Sequence, residues 1–346
     1  MKLRVGVISA GSWGTAIAAL LSEKGYDVTL WAREPEIVES INSVHENTLF
    51  LPGIKLPAGI VSTNDLTGAA GSKDMIVLST PAQYLRDVLK KIALSIDPET
   101  FIVIASKGIE NRSLKMMYQV AEEILPHGLH RNIFILSGPT FARELAMKMP
   151  TCAVVASYNS EDMHLVQQYF NTDYMRIYRS TDVIGVELGG ALKNIFAIAV
   201  GILEGMGLGK NTQAALITRS IAEITRLVIA MGGNPLTISG LSGIGDLVLT
   251  CTGDLSRNRQ VGIRLGKGEK IDDIMKSMLA VAEGVTTTAS AYHLSKKVVV
   301  EMPITETLYK VLYEKADILE NFQALMTRSL KDELLSYGGV NDSCDS

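Results

Sequence analysis

Three stretches of this 346-residue chain hold residue types that could do chemistry together. The first is VIGVELGGALKNIFAIAVGI, residues 183–202. It is apolar nearly all round, so it reads as a buried helix. Yet it carries Glu187, Lys193 and Asn194. Gly189 lies one turn before Lys193 on the same face, and Gly190 stands in the same relation to Asn194. Two glycines inside a helix cost about 1 kcal/mol each relative to alanine, so their absent side chains make room for something to approach. A lysine desolvated there has its pKa lowered toward the range useful for general acid/base work. The alternative is a lysine that snorkels out or pairs with a carboxylate. The five histidines (His45, His127, His130, His164 and His293) are scattered, and none is placed to carry the proton instead.

The second stretch is SGLSGIGDLVLTCTGDLSRNRQVG, residues 239–262. Asp246 follows Gly240, Gly243 and Gly245, again a surface for close approach. Ser256 reads as the N-cap of a helix whose first turn holds Arg257 and Asn258. Free backbone N–H groups, a helix dipole and an arginine together make an anion site. Arg259 is two positions from Arg257, so the two arginines face different ways. The alternative is a capped surface helix with ordinary arginines. The third set lies at strand ends: Ser79-Thr80-Pro81, Ser106-Lys107-Gly108 and Ser137-Gly138-Pro139-Thr140. Lys107 is the one charge there, and a surface lysine in a strand–helix loop would look the same.

These residues need a scaffold, and it begins with VGVISAGSWGTAIAALL, residues 5–21. A strand (3–8), a tight turn, a helix (13–24) closed by Gly25 and a second strand (27–32) make a βαβ unit. The turn approximates the dinucleotide fingerprint G-x-G-x-x-G, with Ser9, Gly11 and Gly14 at the glycine positions. The first glycine allows the tight turn, the second lets pyrophosphate approach the backbone, and the third lets helix pack on strand. Serine at the first position costs about 1–2 kcal/mol if the turn is left-handed there. A small-residue turn that only packs a strand on a helix is the plainer reading. At the end of the second strand, Arg33 suits the 2′-phosphate of NADP, while Glu34 keeps NAD open. Further buried strands are expected at 74–79, 101–106, 133–138 and 151–157, with helices between most of them. This predicts an α/β fold: a Rossmann-type doubly wound parallel sheet, with ligands beyond the carboxyl ends of its strands. After about residue 180 strand signals nearly vanish, and helices are expected at 182–206, 211–231, 235–250, 256–266, 284–297 and 303–314. The expected division is a dinucleotide-binding domain over 1–185, a helical substrate domain over 186–335 and a polar tail over 336–346.

Composition narrows the function classes. Apolar residues make up 47% and charged residues 20%, enough for a sizeable core. A net charge of −4 without basic runs implies neither a nucleic-acid partner nor a membrane surface. Cys152, Cys251 and Cys344 are far apart, which argues against a disulfide framework or zinc knuckle and fits a reducing compartment. The histidines show no metal-ligand spacing, so no metal is expected. Met1-Lys2-Leu3-Arg4 followed by an uncharged run has the look of a signal peptide, but two glycines and a tryptophan interrupt its apolar part. No stretch of 18 or more residues reads as a membrane span.

The whole set resembles bacterial-type NAD(P)-dependent glycerol-3-phosphate dehydrogenase. The likeness is carried by AGSWGTAIA, LPG (51–53), SKGIE, SGPTFA, ELGGALKNIFAIAVGI, GLSGIGDLVLTCTG, SRNR and AEG (282–284). It implies hydride transfer between NAD or NADP and dihydroxyacetone phosphate or sn-glycerol 3-phosphate, feeding glycerophospholipid synthesis in the cytoplasm. It implies Lys193 as general acid/base, with Lys107 and Asp246 beside it. Gly138, Thr140, Ser256, Arg257 and Asn258 would join those three on the substrate. Ser9, Gly11, Ser12, Trp13, Gly14, Arg33, Ala142, Val281 and Glu283, with Lys107 and Arg257, would line the cofactor. A homodimer is expected by base rate. Ser9 departs from the family's glycine, which leads to the expectation that Ser9→Gly tightens cofactor binding. Two other readings are a catalytically inactive cofactor sensor and a reductase of another small anionic ketone.

Overall fold

The computed structural model describes residues 2–278, 282–330 and 332–333. Eight strands, β1 (Arg4–Ile8), β2 (Asp27–Trp31), β3 (Ile60–Thr63), β4 (Met75–Leu78), β5 (Phe101–Ile104), β6 (Ile133–Ser137), β7 (Thr151–Ala156) and β8 (Met175–Ser180), form one sheet in the order β3-β2-β1-β4-β5-β6-β7-β8. Between them run α1 (Ser12–Glu23), α2 (Pro35–Val44), α3 (Leu66–Ala70), α4 (Ala82–Ile92), α5 (Met117–Ile124), α6 (Ala142–Ala146) and α7 (Met163–Phe170). Side chains alternate across the sheet. Val5, Val7, Leu30, Val77 and Val103 join one buried cluster, and Ile8, Ile76, Leu78, Ile102 and Ile104 join the other.

The sheet differs from the expected one in two ways. It is mostly parallel, but β7 runs antiparallel to β6. The helix between them, α6, has five residues and spans about 7 Å. That is too short to return the chain to the far end of the sheet, so the next strand runs back. In addition, β3 and β8 were not expected. Both are edge strands with alternating buried and exposed residues, and polar IVST and MRIYRS lack the continuous apolar run of a central strand.

The helical part comprises α8 (Val183–Gly205), α9 (Lys210–Ala230), α10 (Asp246–Thr252), α11 (Arg257–Gly266), α12 (Ile271–Ser277), α13 (Glu283–Lys297), α14 (Pro303–Tyr313) and α15 (Ile318–Met326). Helices α12 and α15 were not expected. The single helix expected over 235–250 is instead a 3-10 turn (Pro235–Ser239), a π turn (Leu241–Gly245) and then α10. By length and composition α8 could cross a membrane, contrary to the sequence reading, but it is buried inside the protein along nearly its whole length. It crosses α11 at backbone contact. A Cβ at Gly201 would lie 2.2 Å from the Arg259 carbonyl, and one at Gly262 would lie 2.1 Å from the Ile198 carbonyl. Gly205 and Gly266 repeat this one turn on. The small-x-x-x-small spacing lets the two backbones meet and presents the start of α11 beside α8.

Candidate active site

The turn after β1 is where the fingerprint predicts a dinucleotide. Ser9 has φ +99°, so this position does require a backbone that serine adopts at a cost. The turn holds it there: Ser9 N donates to the Trp31 carbonyl (3.2 Å), and Ser79 Oγ donates to the Ser9 carbonyl (3.1 Å). A Cβ on Gly14 would lie 2.0 Å from the Ser9 carbonyl, so this glycine is a packing requirement. A Cβ on Gly11 would meet only Ser9 Oγ, at 3.9 Å, so that side is open. No side chain caps the start of α1, leaving its first N–H groups available to an anion. Trp13 Nε1 is buried with no hydrogen-bond partner among the described residues. These features fit a dinucleotide pyrophosphate over Gly11.

Other expected cofactor residues are less direct. The Ser12 hydroxyl donates to the Phe50 carbonyl (2.6 Å). Arg33 is exposed and bonded to Glu34 (2.7 Å), and Ala142 opens α6. Val281 lies outside the described residues. Sequence reasoning missed Asn47. It is fully buried, donates to the Ala10 carbonyl (2.7 Å) and Thr15 Oγ1 (2.9 Å), and accepts from Phe50 N (3.0 Å). It braces the turn from 37 residues away in sequence, and no local pattern marks it.

The three charged candidates meet at one point. Asp246, fully buried at the start of α10, accepts from Lys193 Nζ through Oδ1 and from Lys107 Nζ through Oδ2 (2.7 Å). Lys193 comes from the middle of α8 and Lys107 from just beyond β5, so one carboxylate joins lysines of both halves. Lys107 Nζ also donates to the Gly138 carbonyl (3.0 Å), which accepts from Thr140 Oγ1 as well (3.3 Å). Burial draws the Lys193 ammonium down to about 8. Asp246 opposes this, and the charge on Lys107 adds to it. A lysine near 8 exchanges protons readily at neutral pH.

The glycines beside Lys193 serve this cluster. A Cβ on Gly189 would lie 2.4 Å from the Ser242 carbonyl, and one on Gly190 would lie 2.5 Å from Ser137 Oγ and 3.6 Å from Lys107 Cδ. What approaches α8 is therefore the protein itself: the π turn that delivers Asp246, and the strand ends that deliver Lys107.

At the start of α11, Ser256 Oγ accepts from Arg259 N (3.2 Å) as the N-cap. The two arginines diverge as their spacing predicts. Arg259 is buried and paired with Glu204 (2.6 Å) and Asp254 (2.9 Å). Arg257 makes no hydrogen bond or ion pair with a described residue. It is open to solvent yet stands in a crowded cleft, where desolvation lowers its pKa and Glu283 partly offsets this. Asn258 donates to Asn194 Oδ1 (2.9 Å) and accepts from Gly284 N (2.9 Å), tying together α11, α8 and α13. Glu283 opens α13 and accepts from Ala82 N (3.1 Å) at the start of α4. Burial pushes its carboxyl up to about 7.

A turn of the dinucleotide type after β1, a buried lysine–aspartate–lysine cluster and an arginine unpaired among the described residues are the parts of a nicotinamide-dependent dehydrogenase. Residues 4–163 match the N-terminal model, and residues 182–323 the C-terminal model, of NAD-dependent glycerol-3-phosphate dehydrogenase. The chain belongs to this family. It is 53% identical to the glycerol-3-phosphate dehydrogenase [NAD(P)+] of Geobacter sulfurreducens and 52% identical to that of Geobacter sp. strain M21, in each case over 96% of this chain and 99% of the relative. The crystal structure of glycerol-3-phosphate dehydrogenase from Coxiella burnetii superposes with a TM-score of 0.90 at 35% identity, covering 94% of this chain and 99% of that one. A ketopantoate reductase from Ralstonia eutropha, 12% identical with a TM-score of 0.59, shares the fold alone.

Proposed function

We infer that this protein reduces dihydroxyacetone phosphate with NADH or NADPH to sn-glycerol 3-phosphate, and catalyses the reverse oxidation. The observation that supports this most is the Asp246 carboxylate bridging Lys193 and Lys107 opposite the dinucleotide turn. Bound nicotinamide supplies or accepts the hydride at substrate C2. Ser9, Gly11, Ser12, Trp13, Gly14, Arg33, Lys107 and Ala142 of residues 1–185 would hold it, joined from residues 186–335 by Arg257, Glu283 and, outside the described residues, Val281. Residues 186–335 supply most of the chemistry. In reduction Lys193, as ammonium, gives its proton to the C2 oxygen. In oxidation the neutral amine takes the proton from the C2 hydroxyl. Asp246 fixes both lysines, and the charge on Lys107 favours the developing oxyanion. Arg257 and the first-turn N–H groups of α11 that Ser256 does not cap receive the phosphate, with Gly138, Thr140, Ser256 and Asn258 around the rest.

The product is a precursor of glycerophospholipids. A cytoplasmic homodimer fits the sparse cysteines and the commonest symmetry of soluble enzymes. With α8 buried in the core, no membrane insertion is part of this reading. The test is the loss of reduced-nicotinamide absorbance on adding dihydroxyacetone phosphate, with NADH and NADPH in separate cuvettes and Lys193→Ala as control. Oxidation that the control lacks supports both reaction and proton carrier, and the faster cuvette identifies the preferred cofactor. No oxidation by folded protein overturns the reading.

A further inference from the structure

We propose that the Ser9 hydroxyl is itself a ligand for the pyrophosphate of the dinucleotide, a contact that glycine at this position lacks. The proposal rests on the dinucleotide reading of the turn given above. It starts from an oddity. Serine is held at φ +99° where glycine would be free of strain, and the backbone on either side leaves it no other choice. A fixed backbone fixes where Cβ points. Here it carries Oγ to the edge of the open space over Gly11, where, adjoining residues aside, Ser9 Oγ is the nearest atom to a Cβ built on Gly11, at 3.9 Å. In a glycine-rich turn of this kind that space belongs to the pyrophosphate.

The neighbouring hydroxyls make the case sharper. Thr15 Oγ1 donates to the Ala10 carbonyl (3.3 Å), Ser12 Oγ to the Phe50 carbonyl (2.6 Å), and Ser79 Oγ lies within reach of the Ile8 and Ser9 carbonyls (3.2 and 3.1 Å). Each is spent on holding the turn. Ser9 Oγ has no hydrogen bond to any described residue, and its residue is only half-buried. A free hydroxyl beside the uncapped N–H groups of α1 is a donor waiting for an anion. Hydrogen bonds to charged oxygens are roughly twice as strong as neutral ones. The strained serine therefore recovers in the bound state what it costs in the free one. This reverses the expectation that Ser9→Gly tightens binding.

The test uses full-length protein, with Ser9→Gly and Ser9→Ala. NADH, NADPH and ADP-ribose are titrated by fluorescence or calorimetry, and the melting temperature is measured without ligand. The expected result has opposite signs. Ser9→Gly melts higher than wild type because its backbone strain is gone, yet its Kd for all three ligands rises by roughly tenfold. Ser9→Ala keeps the strain and loses the hydroxyl, so it weakens binding at least as much without the gain in melting temperature. Unchanged or tighter binding by Ser9→Gly overturns the proposal. So does wild-type affinity in Ser9→Ala, which would assign the effect to the backbone. In both cases wild-type protein still binds, so the dinucleotide reading stands. Failure of wild type to bind any of the three overturns the reading and the proposal together.

Discussion

The turn at Ser9–Gly14 and the helix face at Gly189–Asn194 look alike on paper: small residues that clear a space beside a helix. They use that space in opposite ways. Over Gly11, adjoining residues aside, a Cβ would meet nothing nearer than 3.9 Å, so the space is open, as the dinucleotide proposed for it needs. Over Gly189 and Gly190 a Cβ would meet protein at 2.4 and 2.5 Å, so the space is already filled. The first region, on the function proposed above, is a cradle for a molecule that arrives. The second is a joint that brings Asp246, Lys107 and Lys193 to one point. A glycine in sequence says that something comes close; it does not say whether that is a ligand or the rest of the chain.

The largest effect should come from Lys193 in the joint, the proton carrier proposed above. Lys193→Met should lower kcat by roughly 10²–10⁴-fold, the usual span of general acid/base catalysis, while the Kd for NADH stays near wild type. An equal loss in Kd would show that the two regions are not separable. Next come the glycines themselves. Gly189→Ala must push against a backbone carbonyl and should cost about 1–3 kcal/mol in urea unfolding, with lower kcat as Asp246 shifts. Gly11→Ala, with φ −66° and open space, should change unfolding free energy by less than about 0.5 kcal/mol yet raise the NADH Kd. If both substitutions destabilise alike, the distinction between cradle and joint is lost.

A smaller, graded effect is expected from pH. With Lys193 near 8, the proposed mechanism needs its ammonium for reduction and its amine for oxidation. The reductive kcat should therefore fall, and the oxidative kcat rise, as pH passes about 8. Profiles that move together would remove Lys193 from the proton step.

The smallest effect concerns Glu223, which belongs to neither region. Buried on α9, it accepts from Ile304 N (2.5 Å), Thr305 N (3.2 Å) and Thr305 Oγ1 (3.0 Å) at the start of α14. Burial raises its carboxyl to about 7. Folding therefore takes up a proton between the unfolded value near 4.3 and about 7. This contribution is full below the unfolded value and is lost as pH rises through about 7. Glu223→Gln should cost about 1–3 kcal/mol at pH 5 through the lost acceptor, and should lose less than wild type between pH 5 and 8. Parallel declines would assign that pH dependence to other groups.

Much of this was legible in the chain itself. Apolar runs marked the six inner strands, because a strand covered on both faces must be apolar throughout. The long apolar stretch marked α8, and Ser256 marked the start of α11. The spacing of Arg257 and Arg259 already required them to diverge, because a two-residue step turns a helix by more than half a circle. Tertiary structure decided which arginine found carboxylates, that β7 runs backward, and that 235–250 breaks into three turns. It brought Asn47 under the turn and set Gly201 and Gly205 against Gly262 and Gly266. It placed Asp246 between lysines 53 and 139 residues away in sequence. Local periodicity records which face of an element avoids water. It carries no record of which distant backbone comes to lie against that face, or that none does, and that is what separates Gly189 from Gly11.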